Sequence, residues 1–295
     1  MADALSTFRP SSPGSNPNAY HLTFKSASHK ISPASKRGLE MLFPDAHMRQ
    51  LAYIVCTSPR TGSTLLCQGL SHSGRAGAPA EFFDHRTEVE EYWRRHYGID
   101  RESDYVSGII VATNTSNGVF GTKLHWSTLL DMYRALRDSP ASPSAARQGG
   151  SLNDLLLQRF STVRYVWLRR RNKVAQGISH FKASRTSVWE LPAALQPHPM
   201  GQPTSVDFDL RLIDKCVEWA HIYDNEWGAY FQRRHITPMQ LFYEDLSSAY
   251  NQSLRAVLGF LDIPEVGLPD MVPQLKRLAD ETSVKWEQQY RALRP

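Results

Sequence analysis

The sequence predicts an α/β fold with a mostly parallel central sheet flanked by helices, and three observations carry that prediction. From residue 51 onward, short apolar runs alternate with polar turns and amphipathic segments. Four of these runs, LAYIVCT (51–57), GVFGTKL (118–124), VRYVWLR (163–169) and MQLFYE (239–244), are nearly continuous in apolar residues, as strands covered on both faces are. The stretches between them are long enough to cross back over a sheet as helices, which parallel pairing requires.

Taken in order, the chain opens on a Ser- and Pro-rich segment without periodicity, so residues 1–45 read as a flexible tail and 46–295 as the folded domain. Within the tail, LEMLFP (39–44) reads as a short docking element. The first strand, 51–57, runs directly into SPRTGSTLLC, where a helix should begin near Thr64. The second strand, 118–124, is followed by DSPASPSAARQGGS (138–151), a loop by composition. After the third strand, NKVAQGISHFKAS has helical spacing, with Val174, Ile178 and Phe181 on one stripe. The Pro-rich stretch 186–207 reads as a long surface loop, a candidate substrate lid. Residues 209–234 read as one long helix, and the C-terminal VPQLKRLADETSVKWEQQYRAL as one or two more.

Composition narrows the function. The 295 residues are 41% hydrophobic and 21% charged, which is ordinary for a water-soluble domain. No apolar run approaches the roughly 20 residues that span a bilayer, and a cytoplasmic protein is expected. The net charge is +5, but residues 1–50 hold six Lys/Arg against three Asp/Glu, leaving the body close to neutral. That distribution argues against nucleic acid, which needs a broad basic face. Cys56, Cys67 and Cys216 have no metal or redox spacing, and eleven histidines show no ligand pattern on one element. Buried thiols are expected, and no metal.

The loop Ser58–Ser63 carries the chemistry. A strand, a Gly/Ser/Thr-rich turn and a helix start gather backbone N–H groups and a positive helix end around one point, a site for phosphate or sulfate. The nucleotide-hydrolase form of such a loop has two glycines and a lysine. This one has a single glycine, Gly62, and no lysine; Arg60 brings the positive charge. The third strand ends in Arg169-Arg170-Arg171 where a magnesium-using hydrolase should carry an acid. Ser179 follows Arg171 by eight residues, so a cation and a hydroxyl are available for a second phosphate. Two anion sites at the ends of parallel strands suit a nucleoside with phosphates at both ends, as in 3′-phosphoadenosine 5′-phosphosulfate (PAPS). Against this, Glu244 or Asp245 could act as a magnesium-binding acid, which keeps a nucleotide kinase or hydrolase as an alternative.

SPRTGSTLL, FGTKLHW, LRRRNKVAQGIS, YEDL and KRLAD…W…Y together resemble the bacterial PAPS-dependent carbohydrate sulfotransferases, the family that includes trehalose 2-sulfotransferase. The resemblance runs over roughly residues 50 to 291. It implies a P-loop-type sulfotransferase fold in which Arg60, Thr61, Gly62, Ser63 and Thr64 hold the 5′-phosphosulfate and Arg171 with Ser179 the 3′-phosphate. Lys276 and Arg277 match, more weakly, a C-terminal basic segment that closes over the nucleotide. It further implies transfer to a hydroxyl of a carbohydrate or glycolipid, release of PAP, and a homodimer. A catalytically silent PAP-binding protein is the other reading, and it would lack a base.

Two residues compete for that base. Glu81, in GAPAEFFD, matches the family's P-x-E-[FY]-F glutamate, and Phe82 and Phe83 beside it should raise its pKa. His125, in Lys123-Leu124-His125, resembles the Lys-x-His of the animal cytosolic sulfotransferases, with the lysine assisting transfer. Glu81 is the favoured base. Trp126 and Trp189 are candidates to stack on adenine or a sugar, and residues 88–104 a solvated helix face near the acceptor pocket.

Overall fold

A computed structural model describes residues 51–142, 150–186, 188–189, 206–275 and 279–294. The predicted tail, LEMLFP and all but the ends of the candidate lid lie outside the described residues.

The sheet has four parallel strands, β1 (Leu51–Thr57), β2 (Val119–His125), β3 (Thr162–Arg169) and β4 (Met239–Phe242), in the order β2-β1-β3-β4. The predicted α/β class and parallel pairing are what the structure contains. Strand β1 is central and buried along its whole length, with its side chains alternating between two cores. Leu51, Tyr53 and Val55 face α1 (Ser63–His72) and its neighbours, whereas Ala52, Ile54 and Cys56 face the other layer. Strand β4 departs from expectation: it is an edge strand with only Leu241 buried. It also stops at Phe242, because Tyr243 already begins a short helix.

Between β1 and β2 the chain forms α1, α2 (Thr87–Tyr97) and α3 (Tyr105–Thr113). After β2, α4 (Leu129–Asp138) and α5 (Leu152–Leu157) follow, the latter opened by a capping box in which Ser151 and Asp154 satisfy each other's backbone N–H. Beyond β3 come α6 (Lys173–Thr186) and the 24-residue α7 (Leu210–Arg233). The predicted stripe on α6 is real: Ile178 and Phe181 are buried against Ile213 and Val217 of α7, with Val174 at their edge. Helices α8 (Tyr243–Ser248) and α9 (Tyr250–Phe260) follow β4, and the described residues of the C-terminal segment hold one helix, α10 (Glu281–Leu293). Asp280 caps α10 through the backbone N–H of Ser283 and also meets Lys182 of α6 at 2.8 Å.

This order sends the chain after β1 first to one side, to β2, and then across to β3 on the other. The loops that leave β1 and β3 therefore open a crevice at the C-terminal edge of the sheet, the usual ligand position in such folds. The cysteines, as expected, are free and buried. No described helix is long and apolar enough to cross a membrane.

Candidate active site

The loop after β1 is built from the inside. The Thr61 hydroxyl donates to the Ser58 carbonyl at 3.1 Å and closes the turn. Trp227 of α7 donates its indole N–H to the Thr57 carbonyl at 3.0 Å, and Thr57 donates to Leu168 on β3 at 3.2 Å, so the end of β1 is held from both sides. Arg60 and Gly62 both have positive φ, 67° and 80°. At Gly62 glycine is required twice over, because a Cβ would also sit 2.6 Å from the Tyr243 ring. Gly62 opens α1 with no side-chain cap and no acid in the first turn, so the positive end of the helix faces the crevice uncompensated. Ser58, Thr61 and Ser63 are buried, whereas Arg60 and Thr64 are partly exposed.

Glu81 reaches the same place by a different route. The segment after α1 lies along β2, where the Ala80 carbonyl accepts from the backbone N–H of Lys123 at 2.9 Å. Phe82 anchors it, packing its ring 5.0 Å from Trp93, while Trp93 and Tyr105 donate to the carbonyls of Glu81 and Phe82. Lys123 and His125 share one face of β2 because they are two residues apart. Glu81 Oε1 therefore meets Lys123 Nζ at 2.6 Å and His125 Nε2 at 2.9 Å. Lys123 also donates to the Thr64 hydroxyl at 3.4 Å, which joins this cluster to the first turn of α1.

The electrostatics correct one expectation. Burial beside Phe82 and Phe83 does push the Glu81 carboxyl up, as anticipated. The charges and hydrogen bonds of Lys123 and His125 outweigh it and hold the group well below its ordinary value. Glu81 is an ionised carboxylate with about a third of its side chain exposed, whereas the His125 side chain is 14% exposed.

The three arginines that end β3 take three directions. Arg169 pairs with buried Asp224 at 3.1 Å and lies over Trp167. Arg170 is buried, lies 4.6 Å over the Tyr243 ring and donates to the Arg60 carbonyl at 3.1 Å. Arg171 is exposed and clasps Asp245 through both terminal nitrogens, at 2.8 and 2.7 Å. Arg171 and Ser179, expected together at a 3′-phosphate, have separate partners within the chain, Arg171 on Asp245 and Ser179 accepting from Arg60 Nε at 3.0 Å. Both residues nonetheless belong to the turn and helix that follow β3. Lys276 and Arg277 lie outside the described residues.

Glu244 and Asp245, read from sequence as a metal-binding acid, are otherwise engaged. Glu244 accepts from the backbone N–H groups of Arg171 and Asn172 at 3.1 Å each, and Asp245 holds Arg171. Trp126, a stacking candidate, is packed 5.2 Å from Trp227 and so belongs to the core. Trp189 lies at the crevice, where its carbonyl accepts from Arg60 and its ring is 6.0 Å from His180. Residues 88–104 include α2, whose Trp93 is buried against Phe82.

Sequence reasoning missed His180 and Gln176. His180 is pressed between Trp189 and Trp219, and burial, with the charges of Arg60 and His125 added, lowers its pKa to about 4. It is a neutral imidazole at neutral pH. Gln176 is 1% exposed and bonds the Ser58 hydroxyl and the Pro59 carbonyl. Nothing local marks either residue in the sequence. Asp224 was missed as well, although a signal existed: it interrupts an apolar seam of Val217, Ala220, Trp227 and Phe231 at helical spacing.

Comparison with known proteins fits this arrangement. The family model described as Stf0 sulphotransferase matches residues 52–293. The chain belongs to the Stf0 sulphotransferase family. It is 26% identical over 263 residues to trehalose 2-sulfotransferase of Mycolicibacterium smegmatis, covering 81% of this chain and 94% of the relative. It is 26% identical over 266 residues to the trehalose 2-sulfotransferase of Mycobacterium tuberculosis, covering 82% and 95%. Among solved structures, the sulfotransferase domain of the Synechococcus PCC 7002 olefin synthase aligns over 84% of this chain and 90% of its own, at 12% identity and a TM-score of 0.38. As a member of this family the chain is an enzyme that transfers a sulfuryl group, and the kinase or hydrolase reading of Glu244 and Asp245 falls away.

Proposed function

We propose that this sulfotransferase uses PAPS as donor and a hydroxyl of a carbohydrate or glycolipid as acceptor, with Glu81 as the base. The residues present suit the donor: an uncapped helix start, a left-handed Gly62 and the Arg60 guanidinium fit a 5′-phosphosulfate, while Arg171 and Ser179 fit a 3′-phosphate. When bound, PAPS supplies the sulfuryl group. The loop N–H groups and Arg60 hold negative charge on the leaving phosphate, and Lys123, hydrogen-bonded to Thr64, extends that positive field toward the acceptor side. The carbohydrate class rests on the two trehalose sulfotransferases to which the chain is similar.

One observation carries the choice of base. The His125 nitrogen that faces Glu81 is Nε2, and the other, Nδ1, is buried without a hydrogen-bond partner among the described residues. With Nε2 donating to the carboxylate, the accepting nitrogen of His125 is out of reach of a hydroxyl. Lys123 and His125 both converge on Oε1, which leaves Glu81 Oε2 to accept the hydroxyl proton. A carboxylate of low pKa suffices, because a loose sulfuryl transfer asks for little proton removal before the transition state.

The test is transfer of radiolabelled sulfate from PAPS to a panel of sugars and glycolipids, trehalose included, by the wild type and Glu81→Gln. Labelled product from the wild type and a loss of about a hundredfold or more in the variant are expected. Near-normal turnover by Glu81→Gln, with a comparable loss in His125→Ala, reverses the assignment.

A further inference from the structure

Three successive carbonyls of the loop are each held by a side chain. The Ser58 carbonyl accepts from Thr61 at 3.1 Å, the Pro59 carbonyl from Gln176 at 2.8 Å and the Arg60 carbonyl from Arg170 at 3.1 Å. In a trans peptide unit the C=O and the following N–H point in opposite directions. Pinning the Pro59 carbonyl therefore aims the Arg60 N–H, and pinning the Arg60 carbonyl aims the Thr61 N–H, away from Gln176 and Arg170. Successive N–H groups about a left-handed residue such as Arg60, with φ 67°, form an anion-binding nest.

Gln176 is itself oriented. Lys173 donates to its Oε1 at 3.4 Å, which turns Nε2 toward the loop, where it serves the Ser58 hydroxyl and the Pro59 carbonyl together. Lys173 is anchored by Asp224 at 2.7 Å, and Asp224 is 4% exposed. A continuous chain of contacts thus runs from α7 through α6 into the loop. Arg170 holds the next carbonyl of the loop and is stacked on the Tyr243 ring that also backs Gly62.

We propose that Gln176 and Arg170 are positioning residues that aim the Arg60 and Thr61 N–H groups at the 5′-phosphate end of the donor, an inference that rests on reading this loop as the 5′-phosphosulfate site. Their effect is confined to ligands that carry a 5′-phosphate. A residue that served folding alone would affect every nucleotide equally.

The experiment is calorimetric titration of the full chain with PAP and with adenosine 3′-phosphate, which keeps the 3′-phosphate and lacks the 5′-phosphate. Wild type, Gln176→Met and Arg170→Lys are compared, the last retaining the positive charge. Both variants are expected to lose about tenfold or more in affinity for PAP and to keep their affinity for adenosine 3′-phosphate within about twofold. Should Gln176→Met fail to fold, Arg170→Lys reads the same discrimination at the neighbouring carbonyl. Equal losses for the two ligands, or none for either, overturn the inference and leave the donor reading intact. A wild type that does not bind PAP overturns both.

Discussion

Lys123 Nζ lies 2.6 Å from Glu81 Oε1, and the same lysine reaches the Thr64 hydroxyl at the start of α1. One cation thus touches both the carboxylate proposed as base and the start of α1, so its removal should be felt as a change in pH dependence. Burial favours the neutral form of Glu81, but Lys123 and His125 hold its carboxyl well below 4.5. The sign follows from that depression. The proposed base works as the ionised carboxylate, so activity is lost only as pH falls through the lowered value of the folded enzyme. The acid limb of kcat in the wild type should therefore lie below pH 4.5, and Lys123→Met should move it upward. A limb that stays in place in Lys123→Met removes the lysine from control of this carboxylate.

Arg171 is clasped by Asp245 in an exposed pair, with the two side chains 50% and 53% accessible. Solvent screens such a pair, so a phosphate can displace the carboxylate at small cost. Asp245→Asn should tighten PAP binding by about two- to fivefold, and Arg171→Ala should weaken it by about tenfold or more while sparing 5′-AMP. Unchanged PAP affinity in Arg171→Ala would place the 3′-phosphate elsewhere.

Asp224 serves two cations, Arg169 at 3.1 Å and Lys173 at 2.7 Å, with its own side chain 5% exposed. Removing it strands Lys173, whose pKa burial already lowers. Asp224→Ala should cost about 3–5 kcal/mol in urea unfolding. A cost below about 1 kcal/mol would mean that water replaces the carboxylate without loss.

Gly177 lies where α6 meets α7, and a Cβ there would sit 2.5 Å from Val217 Cγ2 and 2.8 Å from the Val217 backbone nitrogen. Alanine is the better helix former by about 1 kcal/mol, yet Gly177→Ala should destabilise the protein by about 1–3 kcal/mol, because backbone cannot give way as a side-chain tip can. A raised Tm in this variant would show that the two helices separate freely.

The strands were legible because β1 and most of β3 are apolar without interruption, and the loop because Arg60 to Thr64 follow β1 directly. The meeting of Glu81 with His125 spans a sequence separation of 44, and no local pattern encodes it. The direction of the Glu81 shift was misread for the same reason: Phe82 and Phe83 adjoin it in sequence, while the lysine that outweighs them comes from another strand. Either Glu244 or Asp245 could be read as a magnesium-binding acid from the run LFYED (241–245). The structure ends β4 at Phe242 and turns both acids toward the β3–α6 turn.

The most direct test of the account is thermal unfolding of the full chain with PAP in the absence of magnesium, beside ATP with magnesium. A ligand at a hundredfold excess over Kd stabilises the native state by about 2.7 kcal/mol. The account predicts a raised Tm with PAP and none with ATP and magnesium. A shift confined to ATP with magnesium would contradict it.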